Sequence, residues 1–558
     1  SNDHYLNTKT TNTWGNSSEQ RYGRLKQTTV VKNRTGDANN KTRISTFSYR
    51  SDKLLAGSVV SPTNSRTKLA TAYSYDTYGN KTQTSVTGYS TSTAGNHTRT
   101  SKVVYDAEGR YINYEENALG ERNTYKYDGK SASTASGVID NITQIGPNGI
   151  ATRTYYDSFQ QVRRVDYADS KNAYTTRSFC NGCVTNSYYK VVETLSGSPS
   201  KESYFDKWGR AVTSRVKGFD GSWWTRNTIY NAQGQPSRIY EPNSSLYTET
   251  IYDDLNRPES IRKPDGGRVY QDYNGKESRT TDELGRYSYL YSNGFGETAS
   301  SKDHLHNTVT FSYDAFGNLT KTRTRAHNKN SYISNTYDEW GRKTRIIDPV
   351  KGTWNYTYNA FGELYTQRTA RNHTTTFNYD KLGRKVRSYE PSEGTSCWVY
   401  GTKANLSQKA VGKLLSKAKY ERANIPCSSQ QTPTIKKLYY YDSLGRVRKE
   451  TTQIGTTHFN QLRTYDSYSR PSLTTYPTGT ESVVAKTQYN KYGYRYKTSR
   501  LSDNYLYSEV KKMNSRGQVT EIKNGNLVVT KYGYNTQTGW LLVIHISNLH
   551  YLVCEGKQ

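Results

Sequence analysis

The sequence predicts an all-β fold in which one continuous antiparallel sheet is built from tandem hairpins. Three observations predict it: a recurring five-residue motif, a regular spacing between its copies, and a composition that favours strands and turns. Of 558 residues, 53 are Tyr, against 11 Phe, 8 Trp and one Met. Much of the remainder is Thr, Ser, Asn and Gly, which disfavours long helices. The aromatic content of 13% also argues against a disordered chain.

The motif is Tyr-(Asp/Asn)-x-x-Gly, and it begins at Tyr75, Tyr105, Tyr230, Tyr313, Tyr337, Tyr358, Tyr379, Tyr441 and Tyr489. Chance from composition would give about 0.5 copies, so the repeat is a property of the fold. Degraded copies begin at Tyr156, Phe205, Tyr252, Thr281, Tyr465 and Met513. Neighbouring copies often lie 21 to 25 residues apart. This spacing accommodates two strands and two connections, which is one hairpin per repeat.

Each motif is expected to form a tight turn. The Asp or Asn side chain can accept hydrogen bonds from backbone amides two residues on, and the Gly can adopt a positive φ. The candidate structural residues of these turns are Tyr75, Asp76, Gly79, Tyr105, Asp106, Gly109, Tyr313, Asp314, Gly317, Tyr337, Asp338, Gly341, Tyr379, Asp380, Gly383, Tyr441, Asp442 and Gly445.

Upstream of the motif, apolar residues alternate, as in Trp354, Tyr356 and Tyr358, which predicts a strand with its rings on one face. The residue before the Gly is usually large, and we expect it to fold back over the Tyr face; examples are Trp208, Phe316, Trp340, Phe361, Leu382 and Leu444. An Arg often follows the Gly, and we expect it to reach a carboxylate of an adjacent repeat.

The repeat array is expected to span residues 1–540, with an insertion at residues 396–434. Within the insertion, Val411, Leu414, Leu415 and Ala418 follow helical spacing, which predicts a short basic amphipathic helix. Residues 541–558 are expected to be a terminal strand or a truncated tail.

Two cysteine pairs are candidates for disulfides. Cys397 and Cys427 bracket the predicted helix and could form a disulfide or remain two thiols. Cys180 and Cys183 have a spacing found in zinc and redox sites, but no second pair completes a metal site, so a local disulfide is preferred. The segment Asp303-His304-Leu305-His306 would place two imidazoles on one face of a strand, and we expect no metal there. The cysteine content does not decide between an oxidising and a reducing compartment.

The formal net charge of +30 makes anionic partners plausible. The basic residues are scattered through every repeat, and no nucleic-acid-binding module accompanies them. No apolar stretch is long enough for a transmembrane helix, and because the opening residues lack an apolar core we expect no signal peptide there. Neither a catalytic motif nor a cofactor motif is found, so we expect no enzymatic activity and no cofactor.

The segments YDEWGRK, YDKLGRKV and YDSLGRV resemble the YD repeats of the Rhs family. This family includes bacterial polymorphic toxins, the C subunits of insecticidal Tc toxins and the teneurins. The stretch from Lys201 is similar to the bacterial, secreted branch. The resemblance implies a sheet that spirals into a hollow shell, or an open part of one, around a C-terminal toxin segment. The motif that closes the shell in this family is not found after Trp540. We therefore expect this chain to form the wall of a shell, without the closing segment and without an enclosed toxin.

The expected function is therefore a structural, encapsulating one, in a secreted or cell-surface setting. The expected partners are an enclosed toxin polypeptide or other subunits of a toxin complex. The alternative is an extracellular carbohydrate-binding or adhesion protein, in which exposed Tyr rings stack on a cell-surface polysaccharide.

Overall fold

The structure is a computed structural model. It describes residues 6–15, 23–34, 41–90, 95–128, 139–180, 182–326, 329–422, 424–428, 431–478, 481–547 and 549–552. Over these residues the predicted all-β fold is confirmed: 45 strands form one continuous sheet. The described part of the chain contains a single turn of 3-10 helix, Lys403–Asn405, and none of its helices could serve as a membrane span.

The first fifteen strands are β1 Leu6–Trp14, β2 Leu25–Arg34, β3 Lys41–Tyr49, β4 Leu55–Val60, β5 Leu69–Tyr75, β6 Lys81–Ser90, β7 Gly95–Tyr105, β8 Ile112–Glu116, β9 Arg122–Asp128, β10 Asn141–Ile145, β11 Ala151–Tyr156, β12 Val162–Tyr167, β13 Asn172–Phe179, β14 Tyr189–Leu195 and β15 Lys201–Phe205. The next fifteen are β16 Ala211–Lys217, β17 Trp223–Tyr230, β18 Pro236–Tyr240, β19 Tyr247–Tyr252, β20 Pro258–Arg262, β21 Arg268–Asn274, β22 Glu277–Thr281, β23 Tyr287–Ser292, β24 Thr298–Lys302, β25 Thr308–Tyr313, β26 Leu319–Ala326, β27 Lys329–Tyr337, β28 Lys343–Asp348, β29 Gly352–Tyr358 and β30 Leu364–Arg368. The last fifteen are β31 Thr374–Tyr379, β32 Lys385–Glu390, β33 Gly394–Tyr400, β34 Leu414–Tyr420, β35 Ile435–Tyr441, β36 Val447–Ile454, β37 Thr457–Tyr465, β38 Pro471–Thr478, β39 Glu481–Tyr489, β40 Arg495–Arg500, β41 Leu506–Met513, β42 Val519–Asn524, β43 Val529–Tyr534, β44 Leu541–Ile546 and β45 Leu549–Leu552.

Each strand pairs antiparallel with the strands before and after it in sequence, so the sheet is a meander. The register shifts by one residue at most repeat tyrosines, for example between Ser312 and Tyr313 and between Asn378 and Tyr379. Such β-bulges increase the local twist of the strands. Because all nine motifs follow odd-numbered strands, their turns lie on one edge of the sheet, which we call the repeat-turn edge. The connections after even-numbered strands form the opposite edge.

The sheet coils, so that its two edges meet. The connection after β2 contacts the turn after β25, and the connection after β16 contacts the turn after β39. The connection after β18 contacts the turn after β41 in the same way. In all three contacts the two strands are 23 positions apart in the strand order. We call β1–β22 the first wind, β23–β45 the second wind, and their line of contact the seam. At the seam, the opposite edge of the first wind meets the repeat-turn edge of the second.

The coil wall is one sheet thick over the described residues, since strands pack only against their sequence neighbours. Fully buried apolar side chains are consequently few, as in the small clusters around Tyr204 and around Cys397. In β29 the predicted alternation is present: Trp354, Tyr356 and Tyr358 are half-buried, and the residues between them are exposed. Tyrosine suits such a wall because its ring is apolar and its hydroxyl polar.

The predicted amphipathic helix in the insertion is wrong. Leu414–Tyr420 is strand β34, paired with β33 and β35, so the sheet runs on through the predicted insertion without interruption. Burial along this strand has a period of two, with Ala418 and Tyr420 buried and Lys417 and Lys419 exposed. The strand edges on both sides supply backbone partners, and this tertiary context overrides the helix propensity of Leu, Lys and Ala. In the predicted tail, residues 541–546 and 549–552 are strands, and residues 553–558 lie outside the described residues.

Candidate functional site: the repeat turns and the seam

The repeat turn is held by its carboxylate, as Asp314 shows. The Oδ1 atom accepts hydrogen bonds from the backbone N–H groups of Phe316 and Asn318, each 2.9 Å away. The Asn318 side chain donates to Oδ2 at 2.9 Å, and the Gly317 amide donates to the Asp314 carbonyl at 3.0 Å. Gly317 has a φ of +80°, a conformation that residues with a Cβ rarely adopt. One carboxylate therefore satisfies three donors and fixes the turn.

The structure places the other predicted sets in turns of the same type. The carboxylates of Asp76, Asp338, Asp380 and Asp442 each accept the amides two and four residues on. The turn at Asp106 is one residue longer, because its amide donates to the carbonyl of Tyr111. The tyrosines Tyr75, Tyr105, Tyr313, Tyr337, Tyr379 and Tyr441 end the preceding strands, and Gly79, Gly109, Gly317, Gly341, Gly383 and Gly445 all have positive φ.

The arginine after the glycine binds its own turn, which corrects the expected contact with an adjacent carboxylate. Arg342 Nε donates to Asp338 Oδ2 at 2.6 Å, while its Nη1 donates to the Asn359 carbonyl of the next repeat turn at 2.8 Å. The guanidinium carbon also lies 5.0 Å from the Tyr358 ring centroid. The residue four after the turn Asp or Asn links consecutive turns in the same way at Gln235, Arg384, Arg446 and Gln518. Where the turn residue is Asn359, its partner is Glu363, so the pair remains complementary.

The repeat tyrosine joins its hairpin to the one before it. The Tyr379 hydroxyl donates to the Leu364 carbonyl at 2.9 Å, at the first residue after the previous repeat turn. The same contact is made by Tyr75, Tyr313, Tyr337, Tyr358, Tyr441, Tyr465, Tyr489 and Tyr534. Burial raises the pKa of the Tyr379 phenol above its ordinary value. The motif tyrosine is therefore a donor as well as an apolar ring.

Tyr379→Phe is expected to lower the free energy of unfolding by about 1 kcal/mol, because one intramolecular hydrogen bond is lost while the ring stays in place. Urea unfolding followed by tyrosine fluorescence measures this cost. The matched control is Tyr332→Phe, whose ring is exposed and should change stability little. Equal effects of the two substitutions would contradict the assigned role of the hydroxyl.

Acid is expected to destabilise the coil below about pH 4. At Asp253 a hydrogen bond from the Arg257 side chain, and then one from the Arg257 amide, holds the carboxyl pKa below its ordinary value of 3.8. At Asp282 the Arg286 amide and then its guanidinium act likewise. A carboxyl group whose pKa is lower in the folded than in the unfolded chain stabilises the fold. This stabilisation is complete when the pH lies above the pKa of the unfolded chain, and it is lost as the pH falls through the pKa of the folded chain. The melting temperature should therefore be constant from about pH 5 to 8 and decrease at lower pH. A melting temperature that increases on acidification would refute this prediction.

The seam begins at Arg34, a buried cation at the end of β2. Its Nη2 lies 2.5 Å from Glu297 Oε2, and its Nη1 donates to the Asp314 carbonyl at 3.1 Å. Burial by itself raises the pKa of the Glu297 carboxyl, but hydrogen bonds from Arg34 and Asn293 outweigh it, and the pKa lies below its ordinary value. These contacts join residues more than 260 positions apart, so they hold the second wind against the first.

A second cation, Arg99, repeats this arrangement further around the coil. Its Nη2 donates a hydrogen bond to Glu363 Oε2 at 2.9 Å, and its Nη1 lies 2.8 Å from Oε1, so the two side chains form an ion pair. The guanidinium carbon also lies 3.8 Å from the Phe361 ring centroid. Arg43 covers the Phe316 ring at the same distance. Phe316 and Phe361, which precede turn glycines of the second wind, therefore pack under cations of the first wind.

Neutral contacts continue the seam. The Asn148 side chain exchanges two hydrogen bonds with the backbone of Val411, at 3.0 and 2.8 Å, in a buried site. Further along, the Tyr494 hydroxyl donates to the Lys217 carbonyl at 2.8 Å. No sequence pattern on one wind identifies its partner on the other, and sequence reasoning missed the seam for that reason.

The expected fold-back of the large turn residue over the Tyr face does not occur in the first wind. Trp208 is exposed at the tip of its turn. In the second wind Phe316, Phe361, Leu382 and Leu444 are half-buried, while Trp340 is 36% exposed, about half as much as Trp208. The difference follows from the coil, because only the second wind has its repeat-turn edge in the seam.

Both cysteine pairs are disulfide-bonded. Cys180 and Cys183 close a local loop, with Cα atoms 5.4 Å apart, and Cys397 and Cys427 tie the connection after β34 to β33, with Cα atoms 5.6 Å apart. The His304 and His306 segment is a turn rather than the expected strand: Asp303 Oδ1 accepts the amides of Leu305 and Asn307. Within the described ranges, no group of three or more His, Cys, Asp or Glu side chains could hold a metal ion.

Neither a family model nor a curated protein matches this chain. Solved structures do match. The crystal structure of TcdB2-TccC3 without its hypervariable C-terminal region is similar over 97% of this chain, with a TM-score of 0.78 and 11% identity. TcdB2-TccC3-Cdc42 is similar over 94%, with a TM-score of 0.64 and 11% identity. The Photorhabdus luminescens Tc holotoxin pore is similar over 97%, with a TM-score of 0.52 and 12% identity.

In each case this chain spans well under half of the solved chain: 37% of the first, 39% of the second and 37% of the third. At this sequence identity the likeness concerns the fold. The coiled, single-layer strip of hairpins described above is thus the fold shared with the Tc toxin structures.

Proposed function

We propose that this chain is the structural wall of a toxin-associated shell of the Rhs and Tc type. The observation that carries the proposal is the seam, because its contacts between turns 23 strands apart convert a ribbon of hairpins into a wall two winds high. A ribbon without such contacts would expose both edges and could not exclude solvent or proteases from one side.

The similarity to Tc toxin structures supports a toxin context. One of these neighbours, TcdB2-TccC3, has a hypervariable C-terminal region, which its crystal structure leaves out. By analogy, we propose that the wall described here encloses a C-terminal toxin polypeptide, that it works with other subunits of a toxin complex, and that it acts outside the producing cell. The polar groups of the repeat turns and seam are engaged in holding the wall, and the proposed role needs no catalysis and no cofactor.

Protection of a guest tests this function. A protease-sensitive passenger of about 100 residues, roughly one small domain, is fused to the C-terminus of the full chain. Limited proteolysis should then degrade the free passenger rapidly and the fused passenger slowly. The matched control is the same fusion with Arg34→Ala and Arg99→Ala, which opens the seam and should restore cleavage. Equal cleavage of both fusions would refute encapsulation.

The carbohydrate-binding alternative has less support from the site. An open cleft of about 1000 Å³ lies beside Trp208, whose ring a sugar could stack on. However, the Lys207 ammonium and the Arg210 guanidinium already lie 4.4 and 4.6 Å from that ring centroid. Saturable binding of a neutral polysaccharide that is insensitive to salt would favour this alternative over the shell.

A further inference from the structure

A segment of chain closes over one face of the sheet beside the second disulfide. The connection between β34 and β35 is much longer than the repeat turns, and we call its described residues, 421–422 and 424–428, the strap. The Ile425 amide donates to Thr395 Oγ1 at 3.2 Å, and the Thr395 hydroxyl donates to the Arg422 carbonyl at 3.0 Å. The strap therefore adds a second layer to the wall at this point.

The strap is held on a face of the sheet rather than on an edge. Arg387, Thr395 and Cys397 lie on the same face, because Arg387 pairs with Cys397 across the strands and Thr395 precedes Cys397 by two residues. Arg387 Nε donates to the carbonyl of Ile425 in the strap at 3.0 Å. Winds of this coil join edge to edge, so additional strands would extend the strip and leave the contact on the face as it is.

The side chains under the strap form one of the two clusters of buried apolar residues in the described part of the chain. Cys397 is 2% exposed and packs with Ala418, Tyr420 and Ile425. The other cluster, around Tyr204, also includes a disulfide cysteine. Paired strands alone give a wall one sheet thick, so the burial of Cys397 depends on the strap.

The two sulfur atoms of this disulfide differ in access. Cys397 lies under the strap, whereas Cys427 belongs to the strap and is half-buried. An attacking thiolate reacts with the sulfur that it can reach. Attack on Cys427 Sγ forms a mixed disulfide there, breaks the bond to Cys397 and releases Cys397 as a thiolate. A second thiol then attacks the mixed disulfide, so both cysteines end as thiols and two reactant thiols are oxidised to one disulfide.

The disulfide decides whether the strap stays closed. It links residues 30 positions apart, and a cross-link over a loop of that length removes much conformational entropy from the open state. After reduction, a few hydrogen bonds and the Ile425 side chain must hold the strap against the entropy that its release gains. Strand β34 keeps its pairing with β33 and β35, which includes no strap residue. Reduction should therefore open the strap and leave the sheet intact.

We propose that Cys427 is a thiol–disulfide exchange site, and that reduction by a low-molecular-weight thiol releases the strap from the folded wall. The strap is closed in an oxidising medium and open in a compartment rich in thiols. The Cys180–Cys183 disulfide does not act in this way, because it links residues only 3 positions apart and the Ser187 hydroxyl holds the same loop, donating to the Cys180 carbonyl at 3.0 Å. The proposal concerns the wall alone and holds whether or not a guest is enclosed.

Alkylation under native conditions and hydrogen exchange of the full chain test the strap. The chain is incubated with reduced or with oxidised glutathione, and iodoacetamide is then added without denaturant. In reduced glutathione both Cys397 and Cys427 should be alkylated, and exchange of the Ile425 amide should accelerate about 100-fold, since the cross-link no longer holds the strap closed. In oxidised glutathione neither change is expected. The amides of β33–β35 should exchange at the same rate in both media.

Two variants separate this disulfide from the loss of a disulfide in general. Cys427→Ser should show fast exchange at residues 424–428 even in oxidised glutathione, whereas Cys183→Ser, which breaks the other disulfide, should keep the slow exchange. The proposal is overturned by a Cys397–Cys427 bond that glutathione does not reduce, and by an Ile425 amide that stays protected after reduction. Faster exchange throughout β33–β35 also overturns it, because the disulfide would then be a staple of the sheet itself.

Discussion

Replacing Arg34 with alanine is expected to lower the free energy of unfolding by about 3 kcal/mol, because a half-buried carboxylate loses the buried cation that pairs with it. The Arg34 side chain is only 6% exposed, and it binds both Glu297 and the Asp314 carbonyl. Without it, Glu297 must either remain charged in a poorly solvated site or take up a proton. Urea unfolding gives the size of the loss.

The location of the effect is as informative as its size. Hydrogen exchange should accelerate near residues 25–34 and also near residues 293–318, because the seam joins these segments. The matched control is Arg279→Ala, which breaks an ion pair with Asp272 in which the two side chains are 41% and 53% exposed. An exposed pair contributes at most about 1 kcal/mol. Faster exchange confined to the first segment would contradict the seam.

Asp314→Ala is expected to cost about 3–5 kcal/mol, because several donors lose one shared acceptor in a buried site. Asp314 is 2% exposed, and its carboxylate accepts the amides of Phe316 and Asn318 and the Asn318 side chain. Removal of the carboxylate leaves these three donors without a hydrogen-bond acceptor at the point where the two winds meet. The turn is then expected to loosen, and the seam with it.

The control for this substitution is Asp282→Ala. Asp282 accepts the same set of donors, from Leu284 and Arg286, in a turn whose carboxylate side chain is 35% exposed. Water can replace the lost acceptor there, so the expected cost is about 1 kcal/mol. Thermal and urea unfolding of both variants measure the difference. If the two substitutions lowered the free energy of unfolding equally, burial at the seam would not increase the contribution of the turn carboxylate to stability.

The sequence was sufficient to predict the fold class. The spacing of the Tyr-(Asp/Asn)-x-x-Gly motifs and the alternation around Trp354 and Tyr356 are local signals, and a meander of hairpins is made almost entirely of local contacts. The helix predicted at Leu414 failed because the spacing of Val411, Leu414, Leu415 and Ala418 reports only a local preference, whereas the backbone partners that β33 and β35 supply decide for a strand.

The seam could not be predicted in the same way. Whether Arg34 meets Glu297 depends on the twist accumulated over 23 strands, to which every turn and β-bulge contributes. The contact of Arg342 with its own Asp338 was within reach, however. Arginine recurs four residues after aspartate, whereas the acidic Glu363 follows Asn359 at the same spacing, and this complementarity indicates a contact within one turn.

The central claim is that the chain forms a coil of two winds joined edge to edge, and electron cryomicroscopy of the purified chain tests it most directly. The map should show a curved wall one sheet thick around an open lumen, with two rows of strands and the contact of Arg34 with Glu297 between them. A flat or extended ribbon, or a row of separate globular domains, would contradict the coil and the shell function that rests on it.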